Sequence, residues 1–300
     1  MEQLGLEGMP RRLYSCTPSR LNSWLDCRRR YRFTYLDRPA PAKGPPWAHN
    51  SVGAAVHNAL AAWWREPQER RTPMMAAILV ANGWLTEGFR DQEQSLAWLE
   101  RAREMVSGYV ASLDPSDEPV GVERTVATRT AVIAVSGRID RLDRRGDELV
   151  VVDYKTGRRP LTADDARFSL ALAVYAVAAA RVLRRPCHTV ELHHLPSGQI
   201  VGWTHTEESL ARHLRRAEEI AEEAAEADEA YQAWAGPNRP PRGNPRSSDP
   251  NPQPARTVPA EIDARFPPSP GPLCSWCDYR RHCAEGQAAA PDKSSWDALA

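Results

Sequence analysis

Apolar residues in the first 115 positions recur with the spacing of amphipathic α-helices. Thr17-Pro18 combines a hydroxyl that can cap a helix with a proline at the first helical position, and predicts a helix that runs to Pro39. Residues 39–47 contain four prolines and predict a connector. Three further helices are predicted, beginning at Ser51, at Thr72-Pro73 and near residue 92, the last of them ended by Asp114-Pro115.

From residue 120 onward, the apolar positions take the alternating spacing of β-strands. Residues 120–135 predict two short strands, and residues 136–143 and 148–155 predict a strand pair around a turn at 145–147. The second of this pair has four apolar residues in succession, as expected for a strand buried on both faces. Downstream, the pattern predicts a helix over 163–184 capped by Thr162, strands over 188–195 and 199–205, and a charged helix over 206–234.

This order of elements predicts an α/β fold in which a mixed sheet of about five strands is flanked by helices. The sequence contains neither G-x-x-x-x-G-K-[ST] nor G-x-G-x-x-G, so we expect no ATP site and no doubly wound nucleotide fold. We interpret residues 1–300 as a single domain. Its predicted segments are a helical part (12–115), a sheet core (119–235), a proline-rich strap (236–272), a cysteine cluster (273–284) and a tail (285–300).

Composition adds two expectations. The chain has 42% hydrophobic residues but no apolar run of about 18 residues and no basic-then-apolar start, which predicts a cytoplasmic protein without a membrane span. The net charge is zero, yet arginine is concentrated near the N-terminus and acid in residues 218–229. Such a basic segment can follow nucleic-acid phosphates. The arginines predicted to do so are Arg28, Arg29, Arg30 and Arg32.

Acidic residues and one lysine stand at the ends of two neighbouring predicted strands. Asp153 and Lys155 are two apart and therefore share a strand face, and a hairpin can bring Asp140 beside Asp153. Two close carboxylates repel each other unless a cation such as Mg²⁺ lies between them. Strand-end surface residues would give the same pattern. However, only three of the 39 lysines and arginines are lysine, which indicates that Lys155 supplies an ammonium that arginine cannot replace.

Three of the six cysteines lie close together near the C-terminus, in the pattern Cys274-x2-Cys277-x5-Cys283. A further thiol, Cys27, lies on the predicted opening helix. Four thiolates can bind Zn²⁺ or an iron–sulfur cluster, and the spacing does not choose between the two; three unligated cysteines in a polar loop are the alternative. Cys16 and Cys187 have no such neighbours and are predicted to be small buried residues.

The segment SGRIDRLD followed by ELVVVDYKTG resembles the PD-(D/E)XK nuclease superfamily, and within it the RecB-type exonuclease branch. Upstream, TPSRLNSWLDCRRRYRF and the Gly53-to-His57 helix resemble elements of the same branch, and the cysteine tail resembles the AddB-like members. The resemblance covers nearly the whole chain and implies a single nuclease domain with a restriction-endonuclease-like core. It implies Mg²⁺ or Mn²⁺ as cofactor and a 4Fe–4S cluster held by Cys27, Cys274, Cys277 and Cys283.

Carried over residue by residue, the resemblance implies that His57, Asp140, Asp153 and the Tyr154 carbonyl bind metal, and that Lys155 assists catalysis. Glu123 lies where relatives often have an acid; it fits a solvated strand residue equally well. The branch usually has Gln four residues before a helix tyrosine, but here Ala171 precedes Tyr175. Tyr175 is therefore either a nucleic-acid contact or a core residue. The proline that usually follows the first cysteine is Arg28.

The sequence thus predicts a metal-dependent DNA nuclease that acts in repair or recombination, as an exonuclease on single-stranded or end-containing DNA. A helicase subunit supplied by another chain is a possible partner, because this chain has no ATP motif. Two alternatives remain at this point: a non-catalytic, DNA-gripping module of a helicase–nuclease complex, which the absent glutamine favours, and a CRISPR-adaptation exonuclease. Trp276, Tyr279, Arg280 and Arg281 are predicted either to contact nucleic acid or to pack the cysteine loop.

Overall fold

The protein is built around a mixed six-stranded sheet. The computed structural model describes residues 13–236 and 257–299. The strand order is β1-β3-β4-β5-β6, and β2 pairs with β3 along Ala134–Leu142. The pairs β1–β3 and β4–β5 are parallel, and the remaining pairs are antiparallel. The strands are β1 (Tyr14–Cys16), β2 (Gly121–Arg129), β3 (Ile133–Arg145), β4 (Glu148–Lys155), β5 (Thr189–His194) and β6 (Gln199–Thr204).

Helices cover both faces of this sheet. Those before the main sheet are α1 (Pro18–Asp26), α2 (Arg28–Tyr35), α3 (Ala48–Trp63), α4 (Pro73–Asn82) and α5 (Gln92–Val110). Those after β4 are α6 (Ala163–Arg167), α7 (Leu170–Leu183), α8 (Glu207–Ala235), α9 (Ala260–Asp263) and α10 (Ala284–Ala289). No helix within the described ranges is both long and apolar enough to cross a bilayer.

Both faces of β4 are buried, which confirms the interpretation of its continuous apolar run. Val150 and Val152 pack into a core formed with α3, α4 and α5. Leu149 and Val151 pack on the other side, into a core formed with α7. A third core joins α1, α2, β1 and α8. The predicted α/β class is therefore confirmed, with six strands instead of about five, because a strand of three residues such as β1 is too short to show periodicity.

The predicted opening helix is wrong in one respect: it is two helices separated at Cys27. Cys27 has an extended backbone (φ −166°), and its Sγ accepts a hydrogen bond from the Arg30 backbone N at 3.5 Å. Cys27 therefore caps α2 as a serine would. The second of the two helices, α2, ends at Tyr35, before the predicted limit at Pro39.

Three other predicted boundaries also differ. The helix expected from Ser51 begins at Ala48, and the Ser51 hydroxyl donates instead to the Glu87 carbonyl at 2.9 Å. The helix expected over 163–184 is broken after α6, because the Ser169 side chain caps a new helix, α7, by accepting from the Leu172 N. The second and third strands predicted within 120–143 join into the long β3. Of the proline-rich strap, residues 237–256 lie outside the described part of the chain.

Candidate active site

The side chains of strands β2 and β3 switch from one face of the sheet to the other at one pair of facing residues. Glu123 and Asp140 lie between the register pairs Val122↔Arg141 and Arg124↔Ile139. Val122 packs toward α3 and α5, whereas Val126, four residues later on the same strand, packs toward α7. Regular alternation would put both on one face. The reversal occurs at Glu123, whose φ of +50° is rare for a residue with a side chain.

This change of face brings an acidic group and a histidine together. The Asp140 carboxylate accepts a hydrogen bond from the Tyr154 backbone N at 2.9 Å, which ties it to the end of β4. Its other oxygen lies 3.4 Å from His57 Nδ1 on α3. Lys155 Nζ lies 2.5 Å from Asp153 Oδ2. The structure therefore brings together Asp140, Asp153, Lys155 and His57; their roles in metal binding and catalysis stay predictions.

Each of the three carboxylates at this point has a basic partner. Glu123 pairs with Arg138 (Nε to Oε2, 2.6 Å), in addition to the two pairs already described. One ligand atom from each of His57, Glu123 and Asp140 lies within 4.8 Å of the others, and no other such group of three occurs in the parts of the chain that the structure describes. An imidazole and carboxylates at this spacing fit a divalent cation.

Electrostatics at the site follow from burial and from these charges. Burial raises the pKa of Asp153, Lys155 opposes that rise, and the neighbouring Asp140 adds to it. Burial lowers the pKa of His57, but its hydrogen bond to Asp140 and the charges of Asp140 and Asp153 outweigh burial, so the pKa is raised overall. The carboxylates thus repel each other, and a bound cation would relieve that repulsion.

An open cavity of about 690 Å³ is lined by His57, Glu123 and Asp140, and Lys155 lines a neighbouring cavity of about 280 Å³. The first cavity is large enough for a nucleotide-sized fragment and is bounded by α3, α5, the start of β2, the middle of β3, the segment after β4 and the C-terminal segment. Its charged, polar and aromatic lining residues include His49, Asn50, His57, Asn58, Trp98, Glu123, Arg138, Asp140, Thr156 and Arg158. The sequence analysis missed Arg138, Arg158 and Trp98; the position of Arg138 two residues before Asp140 is the signal that could have found the first of them.

Tyr154 contributes its backbone to the site and its side chain to the core on the α3 side of the sheet, where its ring lies 5.9 Å from that of His57. The buried Tyr154 hydroxyl lies 3.3 Å from Trp64 Nε1 and 3.4 Å from Arg141 Nη1. Arg141, also buried, donates to the Tyr109 hydroxyl at 3.1 Å and pairs with Asp143 at 2.8 Å. These contacts fix the strand that carries Asp153 and Lys155; metal binding by the Tyr154 carbonyl stays a prediction.

Tyr175 lies against β3 beside the acids. A Cβ on Gly137 would lie only 2.4 Å from its Cε1 atom, so the ring occupies the space that glycine leaves. Burial raises the pKa of Tyr175, and the charges of Asp153 and Asp140 raise it further. Ala171, at the position of the usual glutamine, is half-buried in the first turn of α7. Tyr175 therefore packs against the strand and also lies near the site.

The arginines predicted to contact nucleic acid all have intramolecular partners. Arg28 pairs with Glu223 at 2.6 Å and Arg30 with Asp26 at 2.7 Å. Arg29 pairs with Asp263 and Glu285, and Arg32, whose side chain is only 7% exposed, pairs with Asp37 and Asp263. These contacts hold α2 against α8, α9 and α10. The geometry therefore gives the four residues a packing role, and the cations that line the cavity are different ones.

All four predicted cluster cysteines line one small cavity of about 40 Å³, although no three of their sulfur atoms lie within 4.8 Å of one another in this described region. Backbone N–H groups point at two of the sulfurs: Arg30 N at Cys27, and Gly286 N at Cys283 (3.4 Å). Burial raises the pKa of Cys277. Cys16 and Cys187 are buried elsewhere, as predicted.

Residues interleaved with these cysteines pack the loop against the rest of the chain. The Trp276 ring meets the rings of Trp47 and His49 at centroid distances of 5.2 and 5.6 Å, and Tyr279 is buried against Phe33. Arg280 donates to the Ala290 carbonyl. Of the two roles predicted for Trp276, Tyr279 and Arg280, packing is the one that these contacts describe.

Comparison with known proteins identifies the fold family. A family model described as the PD-(D/E)XK nuclease superfamily matches residues 15–284, a span that includes both the acidic site and the cysteines. No curated protein matches the sequence. Among solved structures, a "Putative exonuclease" from Eubacterium rectale is similar, with 10% identity, a TM-score of 0.45, and coverage of 73% of this chain and 83% of that chain. On the family match, this chain belongs to the PD-(D/E)XK nuclease superfamily, whose members hydrolyse phosphodiester bonds.

Proposed function

We propose that this protein is a metal-dependent deoxyribonuclease whose active site comprises Asp140, Asp153 and Lys155, together with His57 and Glu123. The observation that carries the proposal is that His57, Glu123 and Asp140 line one open cavity in a PD-(D/E)XK chain. The hydrogen bond from the Tyr154 N–H to Asp140 places the neighbouring Asp153–Lys155 pair beside them. His57, Glu123, Asp140 and Asp153 would hold Mg²⁺ or Mn²⁺. Bound there, the cation would supply Lewis acidity toward a phosphate and lower the pKa of its water.

The side chains have separable tasks in this proposal. Asp140 is fixed by the Tyr154 N–H and keeps an oxygen directed toward His57, so it can remain in place when its charge is neutralised. The ammonium of Lys155, held by Asp153, is 45% exposed and lines the neighbouring cavity, which shares Gly157 with the first, so it can approach a phosphate bound there. There it would stabilise the negative charge that grows on the phosphate or orient the attacking water.

Substitution of the acid and the lysine tests the catalytic proposal. Asp153→Ala or Lys155→Ala should reduce Mg²⁺-dependent cleavage by at least about 100-fold, because each removes a charge that acts on the transition state. Lys43→Ala is the matched control, since Lys43 is an exposed lysine 3.4 Å from an aspartate outside the site. Undiminished cleavage by both site variants would exclude the site. No cleavage by the wild type, with DNA binding retained, would favour the non-catalytic alternative.

We further propose that the substrate is an accessible DNA end or single strand and that the activity serves repair or recombination, with a helicase on another chain to open duplexes. The cavity is open to solvent, which suits an accessible strand. Labelled linear single strands, blunt duplexes and closed single-stranded circles distinguish the substrates. An exonuclease degrades the linear strand and leaves the circle intact, whereas cleavage of the circle would show endonuclease activity.

The four cysteines form the second part of the proposal, a 4Fe–4S cluster. Four sulfurs around one zinc ion lie roughly 3.8 Å apart, given Zn–S bonds of about 2.3 Å. The sulfurs here share a cavity, but no three of them in the described residues lie within 4.8 Å of one another, so a single zinc ion would require them to move closer together. N–H groups directed at Cys27 and Cys283 would stabilise thiolate ligands. The cluster would join α2 to the C-terminal segment and so contribute to folding.

Anaerobic purification with an absorption spectrum and metal analysis tests the cluster. About four irons per chain, lost in Cys277→Ser but kept in Cys187→Ser, would support it, since Cys187 is a buried thiol remote from that cavity. Stoichiometric zinc would replace the iron–sulfur proposal and leave the nuclease proposal intact.

A further inference from the structure

Among the three acid–base pairs of the site, one has a cation that can leave without disturbing the core. The Arg138 side chain is 69% exposed, compared with 45% for Lys155 and 29% for His57. Glu123, its partner, is only 14% exposed. The ion pair therefore joins a carboxylate that lies inside the cavity wall to a guanidinium that reaches it from solvent.

Glu123 cannot easily be the member that moves. Its backbone is held between the register pairs Val122↔Arg141 and Arg124↔Ile139, and its left-handed conformation is set by the change of face of the two strands. A shift of Glu123 would thus require rearrangement of the sheet, whereas Arg138 needs only a change of side-chain rotamers. Arg138 is the mobile partner of this pair.

The pair also places Arg138 in competition with a metal ion. The Glu123 oxygen that lies 2.6 Å from Arg138 Nε belongs to the same carboxylate that completes the His57–Glu123–Asp140 group. A carboxylate that becomes a metal ligand gives up part of its charge to the metal, and its attraction for a second cation falls. The guanidinium would then be free in a cavity of about 690 Å³, where its planar N–H fork matches phosphate oxygens.

We propose that Arg138 exchanges partners: it neutralises Glu123 in the metal-free protein and contacts a phosphate of the nucleic acid once Glu123 serves as a metal ligand. This inference rests on the proposed function and adds a residue that binds substrate. It predicts two opposite effects of one substitution: removal of the Arg138 side chain should strengthen metal binding and weaken nucleic-acid binding. A role limited to the stability of the fold would not produce opposite changes.

The test uses Mn²⁺ binding by calorimetry and single-stranded DNA binding in Mn²⁺, the latter in a Lys155→Ala background so that substrate is not consumed. For Arg138→Gln, we expect Mn²⁺ to bind about two- to fivefold more tightly, the range set by exposed ion pairs. The slope of log binding constant against log salt should fall by about 0.7, the value for one contact to a single-stranded phosphate. Arg138→Lys, which keeps the charge but not the planar fork, should keep the wild-type salt slope.

Arg212→Gln is the matched control, because Arg212 is 56% exposed and lies 2.7 Å from Glu208 on α8, outside the cavity. If Arg138→Gln matches this control in Mn²⁺ affinity or in salt slope while the wild type binds Mn²⁺ and cleaves DNA, the exchange of partners is wrong and the proposed function stands. A wild type that neither binds Mn²⁺ nor cleaves would overturn both.

Discussion

Replacement of Gly137 by alanine probes the contact between β3 and Tyr175 beside the acids. An alanine Cβ would lie 2.4 Å from Tyr175 Cε1 and 2.8 Å from its hydroxyl oxygen, about 1 Å closer than carbon atoms normally approach. The ring must therefore move, and such overpacking typically destabilises a protein by about 1–3 kcal/mol. Part of this loss is offset by up to about 1 kcal/mol, because glycine loses more conformational entropy on folding than alanine does. We expect a net loss of about 1–2 kcal/mol.

Urea unfolding of a double-mutant cycle measures this loss and assigns its cause. Tyr175→Leu removes the ring atoms that clash, so Gly137→Ala in that background should cost nothing or stabilise slightly. Gly202→Ala is the matched control in strand β6, where the nearest atom to a new Cβ is 3.6 Å away and no loss is expected. Additive effects of the Gly137 and Tyr175 changes, within about 0.5 kcal/mol, would refute the reasoning.

Two further predictions concern buried polar networks away from the cavity. Burial raises the pKa of Glu191, but hydrogen bonds from His193 and Arg145 outweigh it and lower the pKa to about 2. The resulting stabilisation of the folded state, on the order of 3 kcal/mol, is complete above the unfolded pKa near 4.5 and is lost toward pH 2. In urea titrations, Glu191→Gln should therefore destabilise the protein at pH 6 and do so progressively less below pH 4.5. Tyr31→Phe removes a fully buried hydroxyl 2.9 Å from Asp228 and should lower the free energy of unfolding by about 1–3 kcal/mol in the same assay. The cleavage rate per folded molecule should not change, and a large fall in that rate would contradict a purely structural role for Tyr31.

Local patterns were sufficient to predict the main parts of the site. Alternation along a strand places Asp153 and Lys155 on one face, and a hairpin places Asp140 on the neighbouring strand, so their approach follows from short-range rules. The spacing from Gly53 to His57 likewise puts both on one face of α3. These are contacts between elements whose geometry is nearly fixed by their type.

What the sequence did not predict depends on contacts between distant segments or on unusual backbone. Arg28 is neutralised by Glu223, and Arg29 by Asp263 and Glu285, roughly 200 residues or more away, so a basic cluster in the sequence is not a basic surface in the fold. The sequence left the role of Glu123 open, because its place beside His57 and Asp140 depends on a positive φ and no glycine or asparagine marks that position.

The left-handed backbone at Glu123 reverses an ordinary expectation about glycine. Within a regular strand, substitution by glycine weakens the fold by roughly 0.5–1 kcal/mol. At φ +50° the side chain itself is the source of strain, of order 1 kcal/mol or more, so Glu123→Gly should raise the unfolding midpoint while it removes a carboxylate from the cavity. The folded chain would thus tolerate heat or urea better without this glutamate than with it. At this position the stability of the fold favours glycine, whereas the proposed metal site requires the glutamate.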